Sequence, residues 1–320
     1  MSSDSTAAMP RVQVTEALSE PQVTAVLALV EHATAADGVA ALSEQGLLHV
    51  RYGGGRGIKD LLASINGQLA GYAHLDPPAE GPAGGEPAGP EPASGELVVD
   101  PAFRRRGIGR ALADAMAAQA GGPGRPGLQV WAHGDLPGAG ALAAAAGFER
   151  SRSLWQMRRP LAEPLAEPRL AAGIDVRTFR TGRDEDAWIA LNAVAFAAHP
   201  EQGAWTRTDL EQREREAWFD PAGFFLAVRG DRLAGFHWTK VHPAEGAAPA
   251  IGEVYVVGVD PAERGSGLGR ALTLIGLRYL RDRGLGEVLL YVDESNVAAV
   301  RLYETLGFAR WSADVMYSRG

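Results

Sequence analysis

The spacing of hydrophobic residues changes repeatedly along the chain, which predicts alternating strands and helices. Apolar residues at helical spacing predict helices over Pro21–Ala36, Pro137–Ala146, Asp184–Ala197 and Asn296–Leu306. Apolar runs rich in β-branched residues predict strands at Val12–Val14, Leu69–Leu75, Glu96–Val99, Leu128–Ala132, Ile174–Phe179, Gly223–Val228, Arg232–Val241, Glu253–Val259 and Glu287–Val292. A last strand closes each half. This order of elements predicts an α/β fold with mixed sheets whose faces are covered by helices.

The second half of the chain repeats the first. Val99-Asp100-Pro101-Ala102 returns 160 positions later as Val259-Asp260-Pro261-Ala262. The same offset relates Gly109-Arg110-Ala111-Leu112 to Gly269-Arg270-Ala271-Leu272, and Gly147-Phe148 to Gly307-Phe308. A chance match would not keep its register over about 50 residues, so the chain contains an internal duplication at domain scale.

Two segments rich in proline and glycine divide the chain. Asp76–Gly95 is too poor in apolar residues to bury a core and is predicted to be a flexible surface loop. Pro160–Gly173 repeats the letters PLAEP and is predicted to be a linker. We therefore expect an N-terminal domain over residues 11–158, a linker over 159–173 and a C-terminal domain over 174–320.

Composition and charge exclude several classes of function. The 320 residues carry a formal net charge of −8 and include no cysteine. A nucleic-acid partner, which favours a basic surface, is not expected, and neither are disulfides or a cysteine nucleophile. The chain has no apolar run near the ~18 residues of a membrane span, so a cytoplasmic protein without a membrane partner is expected. The seven histidines show no metal-ligand spacing with carboxylates, so no metal is expected.

One motif, R-x-x-G-x-G, occurs at the same place in both copies. Arg104–Gly109 and Arg264–Gly269 each follow an apolar strand that ends in Val-Asp-Pro, and each precedes a helix. Backbone N–H groups at such a turn can hold a phosphate or pyrophosphate. For a single copy, a tight turn without a ligand is an equal alternative. The glycine patterns of a Rossmann turn and of a Walker loop are both missing.

With a second motif, this turn resembles the GCN5-related N-acetyltransferases. The first motif extends to V-D-P-x-x-R-x-x-G-x-G-R-A-L, and the C-terminal copy continues with N-x-x-A-x-x-x-Y-x-x-x-G-F, carried by Asn296, Ala299, Tyr303, Gly307 and Phe308. The resemblance implies two tandem domains of this family and acetyl-CoA as co-substrate. It places acetyl-CoA at Leu97, Val98, Val99, Arg105, Arg106, Gly107, Ile108, Gly109 and Arg110 of the first copy. In the second copy it places acetyl-CoA at Val257, Gly258, Val259, Arg264, Gly265, Ser266, Gly267, Leu268, Gly269, Arg270, Asn296, Val297, Ala298, Ala299, Val300 and Arg301.

Amine acetylation needs a proton acceptor for the amine and a proton donor for the thiolate that leaves. Glu253 lies on an apolar strand, where a carboxylate is costly to bury without a partner or a role. The resemblance makes Glu253 the general base; an exposed glutamate at the strand edge is the alternative. It makes Tyr303 the acid that protonates the CoA thiolate; an ordinary half-buried aromatic is the alternative. In the family, two parallel strands splay at the segment that corresponds to Val257–Val259, so the resemblance implies that backbone N–H groups there meet the acetyl carbonyl and the pantetheine. Gly258, in an otherwise β-branched strand, predicts a bulge there.

The acceptor is predicted from longer stretches. His199–Gly203, Glu216–Pro221, Gly235–Pro243, Gly252–Val259, Trp131–Gly134 and Gln156–Pro160 resemble one tandem member of the family that acetylates the cysteinyl amine of desacetylmycothiol (Cys-GlcN-Ins). The resemblance places this small-molecule amine at Glu44, Glu201, Lys240, Glu253 and Tyr291; for Glu201 and Lys240, ordinary surface charges are the alternative. A monomer is expected.

The first copy departs from the catalytic pattern. At the offset of 160, Glu253 aligns with Ala93, Tyr303 with Ala143 and Asn296 with Leu136. Glu96 aligns with Val256, which period-two alternation places on the wrong side of the strand to replace the base. The first copy is therefore predicted to bind acetyl-CoA or to complete the substrate cleft without catalysing transfer.

Two other functions fit the same motifs. A tandem acetyltransferase for another small amine or a peptide N-terminus would differ only in its acceptor residues. An acyl-CoA sensor without turnover would fit the first copy, whereas the Glu253 and Tyr303 pair of the second copy favours an enzyme.

Overall fold

The structure is a computed structural model that describes residues 9–53, 57–78, 92–121, 127–197, 200–244 and 248–320, the side chains of residues 200 and 201 apart. Most of the predicted loop, residues 79–91, lies outside these ranges. The strand before it continues to Asp76 and the strand after it begins at Ala93, so both strands extend into the segment predicted to be a loop. Among the described residues, no helix is long and apolar enough to cross a membrane.

Both halves of the chain alternate strands and helices. The first half consists of β1 (Arg11–Thr15), α1 (Glu20–Asp37), α2 (Glu44–Tyr52), β2 (Lys59–Ile65), β3 (Gln68–Asp76), β4 (Ala93–Val99), α3 (Ile108–Ala120), β5 (Leu128–Ala132), α4 (Pro137–Ala145) and β6 (Glu149–Pro160). The second half consists of β7 (Asp175–Thr178), α5 (Glu185–Ala195), α6 (Pro200–Gly203), α7 (Arg207–Glu214), β8 (Phe224–Arg229), β9 (Arg232–His242), β10 (Ile251–Val259), α8 (Leu268–Asp282), β11 (Glu287–Asp293), α9 (Val297–Thr305) and β12 (Ala309–Arg319).

The predicted elements are present, and four elements were missed. Helices α2, α6 and α7 and strand β2 were not predicted, because segments of four to nine residues are too short to show a clear period. Residues 161–173 contain neither helix nor strand, whereas residues 159 and 160 of the predicted linker belong to β6. The segment nevertheless packs on its neighbours: Leu161 is fully buried, and its N–H donates to the carbonyl of Gly286.

The chain forms two compact units that differ from the predicted domains. The first unit comprises residues 1–153 and 312–320, and the second comprises residues 154–311. Strand order is β1-β2-β3-β4-β5-β12 in the first unit and β6-β11-β10-β9-β8-β7 in the second. Thus Val315–Arg319 pair with Ala132–Leu128, and Leu154–Pro160 pair with Asp293–Glu287. The prediction assigned each last strand to its own repeat, because sequence similarity does not show which strands pair.

Each unit has a cluster of buried apolar residues on either face of its sheet. In the second unit, Leu274 and Leu277 of α8 pack with Val254 and Val288 on one face. On the other face, Trp188 of α5 and Leu210 of α7 pack with Trp238 and Val256. We call this second face the α5 face; in the first unit the corresponding face, covered by α1, is the α1 face.

Candidate acetyl-transfer site

The glycine-rich turn of the second unit forms an open cradle at the start of α8. Gly265 and Gly267 have φ of 80° and 81°, and Gly267 is the N-cap of α8. A Cβ atom built on either glycine meets nothing within 4 Å, so the left-handed backbone, rather than crowding, explains these glycines. The first N–H groups of a helix have no acceptor within the helix. The turn can therefore donate several hydrogen bonds to an anion, as a pyrophosphate requires.

Strands β10 and β11 separate just before this turn. They run parallel and pair from Gly252–Val288 to Val254–Leu290, while β10 continues to Val259. Val254 is thus the last residue of β10 that pairs with β11, and the rest of β10 continues beyond this pairing. The same occurs in the first unit, where β4 and β5 pair from Ala93–Leu128 to Glu96–Trp131 and β4 continues to Val99. Both units have the divergence that the resemblance predicts.

The bulge lies at a different residue from the one predicted. The register between β9 and β10 shifts between Val254 and Val256, so Tyr255 is the extra residue. Gly258 is instead paired regularly with Phe236. A Cβ atom on Gly258 would lie 2.5 Å from a ring carbon of Phe236. Packing against this ring therefore explains the glycine, and the prediction of a bulge at Val257–Val259 is wrong.

Glu253, the predicted base, is buried on the α5 face of the sheet. The Cβ position of the preceding Gly252 points to Leu280 of α8, so Glu253 points away from α8. Its side chain is 7 % exposed, and its Oε2 lies 2.6 Å from Nε2 of His242. Its register partner on β9 is Lys240. An acid–base group, a cation and an imidazole therefore share one part of this face.

Lys240 is held by aromatic rings. Its ammonium lies 4.5 Å from the ring centre of Trp218 and 5.2 Å from that of Tyr255, while the residue is only 8 % exposed. Cation–π contacts of this kind stabilise a buried ammonium that would otherwise be costly to desolvate. The phenol of Tyr255 in turn accepts a 2.7 Å hydrogen bond from Nε of Arg213. Lys240 is thus a fixed charge.

Tyr291, on β11, lies on the same face as Glu253. Glu253 pairs with Leu289, and Tyr291 is two residues further along the strand, just beyond the last pair with β10. Its Oη accepts a 2.8 Å hydrogen bond from Nε2 of Gln156, and Oε1 of Gln156 accepts one of 2.9 Å from Nε of Arg158. The ring of Tyr291 is 42 % exposed. Strand β6, from the end of the first repeat, thus supplies polar side chains to this face, which the repeat pattern did not predict.

Tyr303, the predicted acid, lies in α9 and packs against Phe308 with ring centres 5.8 Å apart. Burial raises the pKa of Tyr303 to about 12. Its phenol therefore stays protonated at neutral pH, as a proton donor must. Asn296 caps the same helix, and its side chain accepts from the N–H of Ala299 at 3.2 Å.

Two predicted acceptor contacts are placed only in part. Glu201 belongs to the short helix α6, and its side chain lies outside the described residues. Glu44 is the first residue of α2 in the first unit, directly after the N-cap Ser43.

The first unit keeps the phosphate turn. Gly107 has a φ of 80° and is the N-cap of α3, and Arg105 takes the left-handed backbone (φ 64°) that Gly265 takes in the second unit. One neighbour differs: a Cβ atom on Gly109 would lie 2.9 Å from Leu142, whereas on Gly269 it would lie 3.6 Å from Val259. Leu142 therefore restricts the space at Gly109, while Gly107 remains open.

The extra residue at Tyr255 also changes which residues correspond. Glu253 pairs with Lys240, and in the first unit Ser94 pairs with Asp76, so the equivalent of Glu253 is Ser94 rather than Ala93. Glu96, two residues after Ser94, consequently lies on the α1 face, the counterpart of the face that carries Glu253. The prediction that Glu96 lies on the wrong side of its strand is wrong, because period two fails across a bulge.

Glu96 belongs to a buried ion pair that sequence reasoning missed. Its Oε2 accepts from the N–H of Ser43 at 2.7 Å and lies 3.3 Å from Nε2 of His133. Burial works to raise the pKa of Glu96, but the hydrogen bonds and the charge of His133 outweigh it and lower the pKa to about 2. Burial likewise works to lower the pKa of His133, yet hydrogen bonds to Asp314 and Glu96 raise it to about 10. A carboxylate held in this way is a weak base.

This geometry, a glycine-rich turn at the start of a helix beside two diverging parallel strands, defines a class of protein, and comparison with known sequences identifies that class. The family model described as "Acetyltransferase (GNAT) family" matches residues 43–148 and 188–308. The chain belongs to this family and is an acetyltransferase, as the two motifs predicted. The family uses acetyl-CoA. Among the described residues, no group of three histidine, cysteine, aspartate or glutamate side chains is arranged to hold a metal ion.

Named relatives and solved structures cover nearly the whole chain. A protein of Thermobispora bispora named "Mycothiol acetyltransferase" is 58 % identical over 97 % of this chain and 99 % of its own length. A protein of the same name from Thermomonospora curvata is 59 % identical over 94 % of this chain and 95 % of its own. A GCN5-related N-acetyltransferase from Sphaerobacter thermophilus has a TM-score of 0.63 at 25 % identity, covering 96 % of this chain and 95 % of its own. A "Tandem GNAT protein from the clavulanic acid biosynthesis pathway" has a TM-score of 0.69 at 23 % identity, covering 97 % of this chain and 98 % of its own. The tandem fold is confirmed.

Proposed function

We propose that the second unit transfers the acetyl group of acetyl-CoA to the cysteinyl amine of desacetylmycothiol. The observation that carries the proposal is that Glu253, Lys240 and Tyr291 share the α5 face of the sheet, where β10 and β11 diverge. The relatives named mycothiol acetyltransferase, similar over almost their full length, support this acceptor.

The residues around the turn fit acetyl-CoA, which supplies the acetyl group as a thioester. The N–H groups from Gly265 to Arg270 would hold its pyrophosphate, and the open space over Gly265 and Gly267 leaves room for it. The edge of Val257–Val259 that lies beyond the pairs with β11 would donate to the acetyl carbonyl and the pantetheine arm. Residues 296–301, at the start of α9, would line that arm.

Two groups would handle protons. Glu253 would take the proton of the acceptor's ammonium group, directly or through water, since its carboxylate lies on the face where the acceptor contacts are proposed. Tyr303, whose pKa is raised to about 12 by burial, would protonate the thiolate of CoA. Lys240, fixed by Trp218 and Tyr255, would hold an oxygen of the sugar or inositol. Tyr291, Glu201 and Glu44 are the remaining proposed contacts to the acceptor.

In the first unit we propose binding without turnover. The turn Arg104–Gly109, with Leu97–Val99 and Arg110, keeps the backbone geometry that would hold acetyl-CoA. However, Ala143 stands where the second unit has Tyr303, and Glu96 is bound to Ser43 and His133. The first unit would therefore lack an acid and have only a weak base.

The test is turnover with purified desacetylmycothiol, acetyl-CoA and a panel of peptide N-termini and other small amines, with the acetylated product measured by mass spectrometry. The proposal expects kcat/KM for desacetylmycothiol to exceed every other amine by at least about 100-fold, the discrimination expected when polar acceptor contacts are left unmade. A peptide or another amine reacting equally well would overturn the acceptor assignment and leave the acetyltransferase class intact.

A further inference from the structure

A histidine connects the buried Glu253 to solvent. Nε2 of His242 lies 2.6 Å from Oε2 of Glu253, within hydrogen-bonding distance. The exposed fractions of the two side chains differ: 7 % for Glu253 and 37 % for His242. His242 ends β9 and is two residues after Lys240, so period-two alternation puts both on the α5 face.

A buried base creates a problem that this pair can solve. Glu253 must lose the proton it has taken from one acceptor before it can serve the next, and burial separates it from bulk water. A half-exposed imidazole, which can both accept and donate a proton, is suited to carry that proton out. Lys240, Tyr255 and Tyr291 share this face with Glu253, and Arg213 and Arg158 belong to the hydrogen-bond networks of the two phenols.

We infer that His242 is a relay residue that acts through Glu253, an inference that rests on the proposed function. The acceptor's ammonium group gives a proton to the Glu253 carboxylate and becomes a neutral amine. The carboxylic acid passes that proton to the unprotonated Nε2 of His242, and the resulting imidazolium releases one proton to water. Proton exchange between the exposed ring and water then restores the tautomer with a free Nε2 for the next turnover. One proton leaves per turnover, which balances the conversion of an ammonium and a thioester into an amide and a thiol.

The first experiment compares His242→Gln with Glu253→Gln and His32→Gln. Glutamine keeps a hydrogen bond to Glu253 but does not titrate. In His242→Gln, we expect kcat/KM for the acceptor to fall about 10–100-fold near pH 7. This loss is at or below the low end of what a direct general base contributes. The Kd for acetyl-CoA should stay unchanged. His32 is a matched control because it is an exposed histidine of the first unit whose Nδ1 lies 3.3 Å from the carboxylate of Asp100. His32→Gln should keep wild-type turnover.

A rescue experiment separates a relay from a structural role. In His242→Ala, added imidazoles of graded pKa should restore the rate of acceptor acetylation in proportion to their concentration and with a dependence on their pKa. The acetylated acceptor is measured by mass spectrometry, so that acetyl transfer to imidazole itself is not counted. Wild type and His242→Gln should not respond, and all variants should keep the wild-type circular dichroism spectrum.

The outcomes distinguish this inference from the proposed function. If Glu253→Gln is impaired while His242→Gln keeps more than half of wild-type kcat/KM, the relay is overturned and the base stands. If His242→Ala is impaired but does not respond to imidazoles, His242 only orients Glu253 and the relay is again overturned. If Glu253→Gln is as active as wild type, Glu253 is not the base, and the relay through Glu253 is overturned with that assignment.

Discussion

The carboxylate of Asp314 lies 3.1 Å from Nδ1 of His133, a residue 181 positions earlier in the chain. The second oxygen of Asp314 accepts the N–H of Gly134 at 2.9 Å. The opposite ring nitrogen of His133 faces Glu96. The last strand of the chain is thus tied to the first unit by a histidine between two carboxylates, in addition to its backbone pairing with β5.

Replacing His133 should destabilise the protein in a pH-dependent way. Because the folded-state pKa of His133 is raised to about 10, above the unfolded value of about 6.5, its contribution is complete below pH 6.5 and is lost as pH rises through 10. His133→Gln should lower the free energy of unfolding by about 3 kcal/mol near pH 6, the usual cost of breaking a buried pair. Urea unfolding at about pH 6, 8 and 10 should show the gap between variant and wild type closing.

The same measurement on His32→Gln is the control, because that exposed pair should contribute at most about 1 kcal/mol. A gap for His133→Gln that stays constant from about pH 6 to 10 would contradict a charged His133 and indicate a packing role.

Glu253→Gln should reduce kcat by about 10²–10⁴-fold while the Kd for acetyl-CoA stays unchanged, because the proposed base acts on the acceptor alone. The loss should shrink as pH rises towards the pKa of the amine, which then deprotonates unaided. Steady-state rates from about pH 6 to 9 measure this. Glu211→Gln, a change at an exposed glutamate paired with Arg207, should be neutral. A Glu253→Gln enzyme with half of wild-type kcat near pH 7 would falsify the assignment.

Tyr303→Phe should lower kcat by about 100-fold, at the low end for proton transfer, because a thiolate is a good leaving group. Burial raises the pKa of Tyr303 to about 12, so wild type should show no alkaline loss from this group below about pH 10. The pH dependence of kcat for both enzymes checks this. If wild type loses activity below about pH 10 and Tyr303→Phe does not, the pKa of Tyr303 is far lower than its burial implies.

The two phosphate turns should differ in their effect on activity. Gly267→Asp places an anion where a pyrophosphate is proposed to bind and should abolish turnover, whereas Gly107→Asp should remove at most one bound acetyl-CoA and spare the reaction. Both glycines have positive φ with open space around them, so both variants carry similar backbone strain of about 1–2 kcal/mol.

Gly267→Asn and Gly107→Asn carry that strain without the charge and separate the two effects. Equilibrium dialysis with acetyl-CoA alongside turnover gives binding and activity together. If a folded Gly107→Asp enzyme is inactive while Gly267→Asp remains active, the reaction takes place in the first unit.

Lys240→Met should raise KM for desacetylmycothiol much more than KM for acetyl-CoA. A charge-assisted hydrogen bond contributes about 1.5–3 kcal/mol, which corresponds to roughly 10–150-fold in affinity. Methionine keeps the apolar stem against Trp218. Cysteine amide, an acceptor that has the amine and lacks the sugars, should be poor with wild type and should lose little more with Lys240→Met. The four kcat/KM values form a double-mutant cycle. Equal losses for both acceptors would show that Lys240 does not contact the sugar or inositol.

The sequence by itself determined the local elements and the class of protein. The duplication, the two glycine-rich turns and the succession of strands and helices are encoded by neighbouring residues. Propensity, hydrophobic period and the left-handed backbone of Gly267 act over a few positions. The family motifs are equally local, so the residues of these motifs are enough to recognise the acetyltransferase class.

The tertiary structure alone decided which strands pair and which side chains meet. The pairing of β12 with β5 and of β6 with β11 joins residues far apart in the chain, and similarity between repeats carries no information about such partners. A single extra residue, Tyr255, makes Ser94 rather than Ala93 the equivalent of Glu253, and it puts Glu253 on the same face as Val256, the position aligned with Glu96. Since successive side chains of a strand alternate sides, one inserted residue reverses the face of every position beyond it. The contacts of His242 with Glu253 and of Asp314 with His133 also depend on which strands pair, so they became visible only in the folded sheet.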